Sequence, residues 1–86
     1  MNLANTVLLI TGGTGSVGHA VLDRFLTTDI REIRILSRDE KKQDDMRHAY
    51  QKWNPQYADK IKFYIGDVRD YNSILNAFRG VDFVFH

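Results

Sequence analysis

Four short apolar runs alternate along the chain with three longer stretches in which apolar residues recur at helical spacing. The runs cover residues 7–11, 32–36, 61–65 and the beginning of a fourth at 81–86. The first run is apolar at consecutive positions, which is typical of a strand buried on both faces, as in a parallel sheet. In residues 16–28, 39–53 and 71–78, apolar residues recur at every third or fourth position. This spacing predicts amphipathic helices.

Each predicted helix should bury one apolar stripe against the sheet. The expected buried residues are Met46, Tyr50 and Trp53 in the second helix and Ile74, Leu75 and Phe78 in the third. Asn54-Pro55 and Gly80 follow these two helices, as expected of residues that end a helix.

Strands that alternate with helices predict the α/β class, because parallel strands are joined by right-handed crossover connections. We therefore expect a Rossmann-like half-fold of three layers, in which helices cover both faces of a parallel sheet. Its neighbouring strands should follow the order 3-2-1-4. The 86 residues make one domain or part of one, and they contain no internal repeat or linker.

Charge and composition exclude several classes of function. Twelve Lys and Arg residues stand against eleven Asp and Glu residues, for a net charge of +1, and the two signs are mixed along the chain. This balance argues against a nucleic-acid interface and against a polybasic membrane patch. Because the sequence has no cysteine, no apolar run of about 20 residues and no signal peptide, we expect a cytoplasmic protein without a membrane span.

A metal site is not expected. The three histidines, His19, His48 and His86, are far apart in the sequence and have no carboxylate or cysteine at ligand spacing. A structural or solvated role is the simplest interpretation of these residues. Asp44 and Asp45, with lysines nearby, most simply form a solvated helix face.

A glycine-rich segment, Thr11-Gly12-Gly13-Thr14-Gly15-Ser16-Val17-Gly18, connects the first predicted strand to the first helix. The first amides of a helix lack backbone partners and lie at the positive end of its dipole, so a pyrophosphate can bind there. The spacing Gly13-x-Gly15-x-x-Gly18 is that of a dinucleotide fingerprint, and no Lys-Ser or Lys-Thr pair indicates a nucleoside-triphosphate loop. A tight turn without a ligand is the alternative interpretation.

The end of the second strand is expected to meet the adenosine ribose of a dinucleotide. NAD-binding proteins usually carry a carboxylate there, whereas this chain has Ser37 and Arg38, followed by Lys41 and Lys42. A hydroxyl and a guanidinium suit a 2′-phosphate, so we predict NADP as the cofactor. Alternatively, Ser37 caps a helix and Arg38 lies in water, and Asp39 could reach the ribose instead.

Asp67 follows the third strand on the same edge of the predicted sheet, directly after Gly66. Its carboxylate could accept a hydrogen bond from the adenine amino group, while Val68 packs near the ring. An ordinary turn residue is the equally simple alternative.

Three stretches of the sequence resemble known enzymes. The run Thr11-Gly12-x-x-Gly15-x-x-Gly18 is similar to the TGxxGxxG signature of extended short-chain dehydrogenases/reductases. Residues 34–47 and 63–70 are similar to bacterial UDP-N-acetylglucosamine 4,6-dehydratases that also epimerise C5 and that make precursors of capsule, O-antigen and flagellin glycans. The resemblance covers nearly all 86 residues, although Val17 stands where an aromatic residue is common.

This resemblance implies a tightly held NADP that relays hydride while a UDP-sugar is oxidised at C4, loses water from C5 and C6, and is reduced at C6. It also implies a homo-oligomer, with a hexamer as the family's form. By position, the glycine loop would hold the pyrophosphate, the residues after the second strand the 2′-phosphate, and those after the third strand the adenine. These cofactor-binding residues are Gly12, Thr14, Gly15, Ser16 and Val17, then Ser37, Arg38 and Lys42, then Asp67 and Val68.

No catalytic residue can be assigned. The family's Tyr-x-x-x-Lys pair does not occur in the sequence, and oxidation at C4 requires a base. We therefore interpret residues 1–86 as the amino-terminal part of one NAD(P)-binding Rossmann domain, truncated at the fourth strand.

Two other parent proteins fit the same residues. The first is a UDP-glucose 4-epimerase of the extended reductase type, although such enzymes usually keep an acidic residue after the second strand and prefer NAD. The second is a non-enzymatic NADP-sensing module built on the same half-fold. The residues that follow His86 in the parent would distinguish these possibilities.

A chain that stops at the fourth strand would leave an apolar parallel edge open at residues 83–85. We predict that the isolated 86-residue chain is marginally stable or associates through this edge. Sedimentation velocity over a concentration series should then show self-association. A monomer that unfolds cooperatively at high concentration would contradict the prediction.

Overall fold

The structure is a computed structural model that describes residues 2–86. Its strands are β1 (Val7–Thr11), β2 (Glu32–Ser37), β3 (Ile61–Ile65) and β4 (Phe83–Phe85). Its helices are α1 (Ser16–Leu26), α2 (Glu40–Trp53) and α3 (Tyr71–Phe78). The four strands form one parallel sheet in the order β3-β2-β1-β4, which confirms the predicted α/β fold and strand order. Met1, which the expected domain includes, lies outside the described residues.

β1 lies in the interior of the sheet, where its uninterrupted apolar sequence is covered on both faces and along both edges. Leu9 and Ile10 have no solvent exposure. Leu9 is opposite Arg34 of β2 on one side and Val84 of β4 on the other. Because all four strands are parallel, the loops that follow them converge at one edge of the sheet.

Helices cover both faces of the sheet, as predicted. One face packs against α1 and α2, and its core consists of Leu8, Ile10, Leu22, Leu26, Ile30, Ile33, Ile35, Met46, Tyr50 and Ile61. The opposite face packs against α3 through Leu9, Leu36 and Ala77. Consecutive residues of a strand point to opposite faces, so neighbouring residues of β1 belong to different layers.

Three of the predicted core positions are exposed instead. Trp53, the last residue of α2, is 72% exposed, because the stripe that packs on the sheet ends one turn earlier, at Tyr50. In α3 the fully buried residue is Ala77, while Leu75 and Phe78 are 41% and 38% exposed. Leu75 is separated from Ala77 by about 200° around the helix, so it faces away from the sheet.

Two local features differ from the sequence prediction. α1 ends at Leu26 rather than near Thr28, and the Thr28 hydroxyl donates to the carbonyl oxygen of Phe25 at 2.6 Å. A 3₁₀ turn over Ala58–Lys60 precedes β3, and three residues are too few to show a periodic pattern. None of the helices in the described part of the chain is long and apolar enough to cross a membrane.

Arg34 on β2 anchors the carboxyl end of α3 to the sheet. Its guanidinium donates to the carbonyl oxygens of Ala77 at 3.0 Å and Arg79 at 2.5 Å, and Glu32 accepts from its Nε. A cation at the carboxyl end of a helix satisfies carbonyls that lack partners and is favoured by the helix dipole. This contact fixes α3 on the sheet, and with it the loop that leads from β3 into α3.

β4 forms the edge of the sheet next to β1. Phe83, Val84 and Phe85 are 62%, 47% and 40% exposed, and within residues 2–86 β4 pairs with β1 alone. The apolar edge expected from the sequence is therefore exposed in this chain, and its self-association stays a prediction.

A close backbone contact between Gly13 and Gly18 joins β1 to α1. A Cβ atom at Gly18 would stand 2.5 Å from Gly13 Cα and 2.6 Å from its carbonyl oxygen. A Cβ atom at Gly13 would stand 2.8 Å from Ile35 Cγ2 on β2. Both positions therefore need glycine for packing, and the contact brings the first turn of α1 next to the carboxyl ends of β1 and β2.

We predict that Gly18→Ala lowers the free energy of unfolding by about 1–3 kcal/mol, because the added methyl group overlaps backbone atoms. Gly15→Ala is the matched control, since the nearest atom to a Cβ there is the Gly12 carbonyl oxygen at 3.5 Å. Gly15→Ala should lower the free energy of unfolding by about 1 kcal/mol or less, because alanine is a poorer N-cap residue than glycine. Urea unfolding followed by circular dichroism measures both, and equal losses would contradict the packing role of Gly18.

Candidate functional site

The loops that follow the four strands enclose a cleft of about 340 Å³ at the carboxyl edge of the sheet. In open α/β sheets ligands bind at this edge, at the point where the strand order reverses. Here that point lies between β1 and β4. The cleft is lined by Thr11 and Gly12 after β1, Leu36, Ser37 and Arg38 at the end of β2, Gly66, Asp67, Val68 and Arg69 after β3, and His86 after β4.

The glycine loop leads into a helix start that no side chain caps. Gly12 has a φ of +63°, which glycine adopts easily, and its amide donates to the Leu36 carbonyl oxygen at 2.8 Å. Gly15 occupies the N-cap position of α1 without a side-chain hydrogen bond to the first turn. Ser16 and Val17 are exposed residues, and their backbone amides donate to no other group within residues 2–86.

The other two helices begin differently. Asp39 caps α2 and Asp70 caps α3, each through a side-chain oxygen that accepts a backbone N–H of the first turn. A carboxylate at these positions neutralises the positive end of the helix dipole. Among the three described helices, α1 is thus the one whose start is left able to bind an external anion.

Half of the ten predicted cofactor-binding residues line the cleft directly. They are Gly12, Ser37, Arg38, Asp67 and Val68. Thr14 lies beside them, in a depression that also includes Ser37 and Arg38. Ser16 and Val17 line a shallow depression on the exposed side of α1 and are not part of the lining of the cleft.

At the end of β2, Ser37 and Arg38 both contribute to the cleft. Ser37 is 8% exposed, and its hydroxyl accepts a hydrogen bond from Gln43 Nε2 at 3.0 Å. The Arg38 side chain is 69% exposed, and its NH1 lies 3.6 Å from Asp67 Oδ2. A buried hydroxyl and an exposed guanidinium therefore occur at consecutive positions of this strand end.

Asp39 caps α2 and also lines the depression that includes Ser37 and Arg38. Its Oδ1 accepts a hydrogen bond from the Lys42 amide at 2.9 Å, so Asp39 and not Ser37 is the N-cap of α2. The interpretation of Ser37 as a helix cap is therefore wrong, and the Asp39 carboxylate is engaged by the helix. The Lys42 side chain is exposed and does not line the cleft, so the structure does not bring it together with Ser37 and Arg38.

Asp67 is held by Arg69. Two nitrogens of the Arg69 guanidinium donate to both carboxylate oxygens of Asp67, at distances of 2.8, 3.1 and 3.2 Å. These bonds, then a hydrogen bond from the Arg69 backbone amide and least the charge of Arg38, lower the pKa of Asp67 to about 2. The Asp67 amide donates to Ser73 Oγ at 3.1 Å, so Asp67 shapes the turn after β3 as well as lining the cleft.

Arg69 and His86 line the cleft and Gln43 lies behind it, and none of these three was among the predicted site residues. Arg69 could have been found from its position two residues after Asp67 in a turn, where the two side chains can meet. Gln43 continues the buried stripe of α2, three residues before Met46, and a polar residue in such a stripe is a signal of a specific role. His86 contacts Thr11 Oγ1 through its Nδ1, and no sequence pattern indicated this pair.

The chemistry of these groups suits an anionic ligand. The uncapped amides of α1 suit a diphosphate, and a hydroxyl beside a guanidinium suits a further phosphate. The two guanidinium groups of Arg38 and Arg69 outnumber the single carboxylate of Asp67, so the cleft favours anions. In the described part of the chain, no group of three or more metal-ligating side chains is arranged to hold a metal ion.

We predict that the low pKa of Asp67 depends on Arg69. In the native chain Asp67 should titrate near pH 2, below the ordinary value of 3.8. Its contribution to stability is therefore present above pH 3.8 and is lost as the pH falls through about 2. Carbon-13 NMR of the side-chain carboxyl measures this titration.

Arg69→Ala should raise the pKa of Asp67 toward its ordinary value. Arg38→Ala is the matched control and should leave the pKa low, because the Arg38 guanidinium lies 3.6 Å away and contributes least to the shift. An Asp67 pKa that does not move in Arg69→Ala would contradict this account.

The sequence is similar to curated proteins of the genus Rickettsia. It is 68% identical over 83 residues to a UDP-glucose 4-epimerase of Rickettsia bellii (strain RML369-C). It is 61% identical over 83 residues to a UDP-glucose 4-epimerase of Rickettsia prowazekii (strain Madrid E). Each match covers 92% of this chain and 23% of the relative, so the chain spans about a quarter of the length of these relatives.

Solved structures share the fold. Pen from Bacillus thuringiensis matches the whole chain with a TM-score of 0.85 and 30% identity, over 25% of that protein. A short-chain oxidoreductase from Pseudomonas aeruginosa PAO1, solved with NADPH bound, matches 85% of this chain and 27% of its own, with a TM-score of 0.72 and 20% identity. A family model described as polysaccharide biosynthesis protein matches residues 8–86. The chain therefore belongs to this family of polysaccharide biosynthesis proteins.

Proposed function

We propose that the chain binds NADP in the cleft and forms the cofactor-binding part of an enzyme that modifies a UDP-sugar for bacterial surface polysaccharides. The observation that carries this proposal is the uncapped start of α1 at the same edge of the sheet as Ser37 and Arg38. Membership of the polysaccharide biosynthesis family supports a role in the synthesis of polysaccharides.

Each part of the cofactor has a matching group in the chain. The amides of Ser16 and Val17 would hold the pyrophosphate, and Ser37 with Arg38 would hold the 2′-phosphate. Val68, which is 45% exposed at the cleft, would pack against the adenine. When bound, the nicotinamide would supply hydride transfer to and from the sugar.

The charges at the end of β2 favour NADP over NAD. Because Arg69 is paired with Asp67 at 2.8 Å, Arg38 keeps a positive charge that a 2′-phosphate can neutralise. NAD-binding sites usually place a carboxylate at this strand end to accept from the ribose hydroxyls. The nearest candidate, Asp39, is engaged as the N-cap of α2.

We propose UDP-N-acetylglucosamine as the substrate, with 4,6-dehydration accompanied by C5 epimerisation. The similarity of residues 34–47 and 63–70 to enzymes of that activity supports this choice. The curated relatives are named UDP-glucose 4-epimerase, which makes 4-epimerisation the second candidate. Both reactions share oxidation of the sugar at C4, and both would take their catalytic base from outside residues 1–86. A cytoplasmic homo-oligomer, with a hexamer by resemblance, completes the proposal.

The two candidate activities give different products in heavy water. The enzyme that carries residues 1–86 as its amino-terminal segment should convert UDP-N-acetylglucosamine to a 4-keto-6-deoxy sugar with deuterium at C5, because the C5 proton exchanges with solvent. A 4-epimerase would instead convert UDP-glucose to its C4 epimer without solvent deuterium. NMR of the products distinguishes them, and NADP binding without either product would contradict an enzymatic role.

We predict that Arg38→Ala weakens NADP binding by roughly 10- to 100-fold and leaves NAD binding unchanged, because a charge-assisted contact to the 2′-phosphate is lost. Arg31→Ala is the matched control, since Arg31 is also exposed but precedes β2 at the opposite edge of the sheet. Isothermal titration calorimetry measures each affinity. Equal affinity of the native chain for NADP and NAD would refute the cofactor assignment.

A further inference from the structure

Gln43 is a buried polar residue directly behind the cleft. It is 2% exposed on α2, and it belongs to the stripe that packs on the sheet. Its side-chain nitrogen donates to Ser37 Oγ at 3.0 Å and to the Tyr64 carbonyl oxygen at 2.7 Å. Gln43 thereby ties the carboxyl end of β2 to the carboxyl end of β3.

The neighbours of Gln43 fix the orientation of its amide group. A backbone carbonyl can only accept hydrogen bonds, so the nitrogen of Gln43 and not its oxygen must face Tyr64. The second hydrogen of that nitrogen then points to Ser37 Oγ. Ser37 is therefore the acceptor in this pair, and its own hydroxyl proton remains for another acceptor.

The hydroxyl proton of Ser37 has no protein acceptor within residues 2–86. Ser37 is among the residues that line the cleft, as is Arg38, so we take the acceptor of this proton to be a group in the cleft. A dianionic phosphate presents acceptor oxygens only and forms a charge-assisted bond with such a donor. A ribose 2′-hydroxyl both donates and accepts, so it gains less from a neighbour fixed as a donor.

We propose that Gln43 is a positioning residue that favours NADP over NAD by fixing the Ser37 hydroxyl as a donor toward the adenosine 2′-phosphate. The inference rests on the proposed binding of NADP. Gln43 does not line the cleft itself, so its effect on the cofactor passes through Ser37.

The ratio of the affinities for NADP and NAD separates this role from a structural one. Ser37→Ala should lower the ratio roughly tenfold, and Gln43→Met should lower it several-fold. The double variant should lower it no further than Ser37→Ala alone, because the two residues act through one contact. Titration calorimetry of the three variants and the native chain gives the four ratios.

Tyr50→Phe is the matched control for a loss of stability. It removes a hydrogen bond between α2 and Asp23 without touching Ser37, so the ratio should stay at its native value. The inference is overturned if Gln43→Met keeps the native ratio of NADP to NAD affinity. It is also overturned if the effects of Ser37→Ala and Gln43→Met on this ratio simply add in the double variant.

A second measurement uses the native chain, because Gln43→Met leaves the Tyr64 carbonyl without its donor and could unfold the chain. The side-chain amide signals of Gln43 in proton–nitrogen NMR spectra should shift when NADP saturates the chain and stay unchanged with NAD. Equal shifts with both nucleotides, or none, would overturn the inference.

The outcomes also separate this inference from the proposed function. If the native chain binds neither nucleotide, both the proposed binding of NADP and the proposed role of Gln43 are wrong. If the chain prefers NADP and Ser37→Ala removes the preference while Gln43→Met does not, only the role of Gln43 is wrong.

Discussion

The contact between Gly13 and Gly18 is the constraint on which the site depends. It brings the backbone at the start of α1 against the loop that leaves β1, with a separation that excludes a Cβ atom at Gly18. This position directs the first amides of α1 toward the carboxyl edge of the sheet. Because Gly15 supplies no side-chain cap, the sequence that permits the packing also leaves those amides able to bind an anion.

A second set of contacts determines the chemistry at the other end of the cleft. Arg69 pairs with Asp67, so the carboxylate that lies 3.6 Å from Arg38 is already partnered. The Ser37 hydroxyl accepts a hydrogen bond from the buried side chain of Gln43. Arg38 and Ser37 are therefore available as donors, and a phosphate group is an acceptor that suits both.

The fold could be predicted from the sequence because its signals are local. Apolar runs specified the strands, and the alternation with helices specified a parallel sheet with the order 3-2-1-4. The glycine loop was predictable for the same reason, since both its turn and its helix start are encoded within eight residues. Structural neighbours with TM-scores of 0.72 and 0.85 share this fold.

The details that sequence patterns missed all depend on which elements meet in space. Trp53 fits the helical stripe of α2 but lies beyond the part that packs, and Ala77 is buried in place of larger neighbours on α3. The partner of Gln43 is set by how α2 packs over β2 and β3. Lys42 follows Arg38 closely in sequence, yet its side chain does not line the cleft.

The backbone amide spectrum of the chain during titration with NADP tests the central claim most directly. The largest proton–nitrogen shifts should occur at Ser16 and Val17, whose amides would hold the pyrophosphate. The first-turn amides of α2 and α3, which Asp39 and Asp70 cap, should serve as internal controls and change less. Binding of NADP that leaves Ser16 and Val17 unshifted would contradict the account.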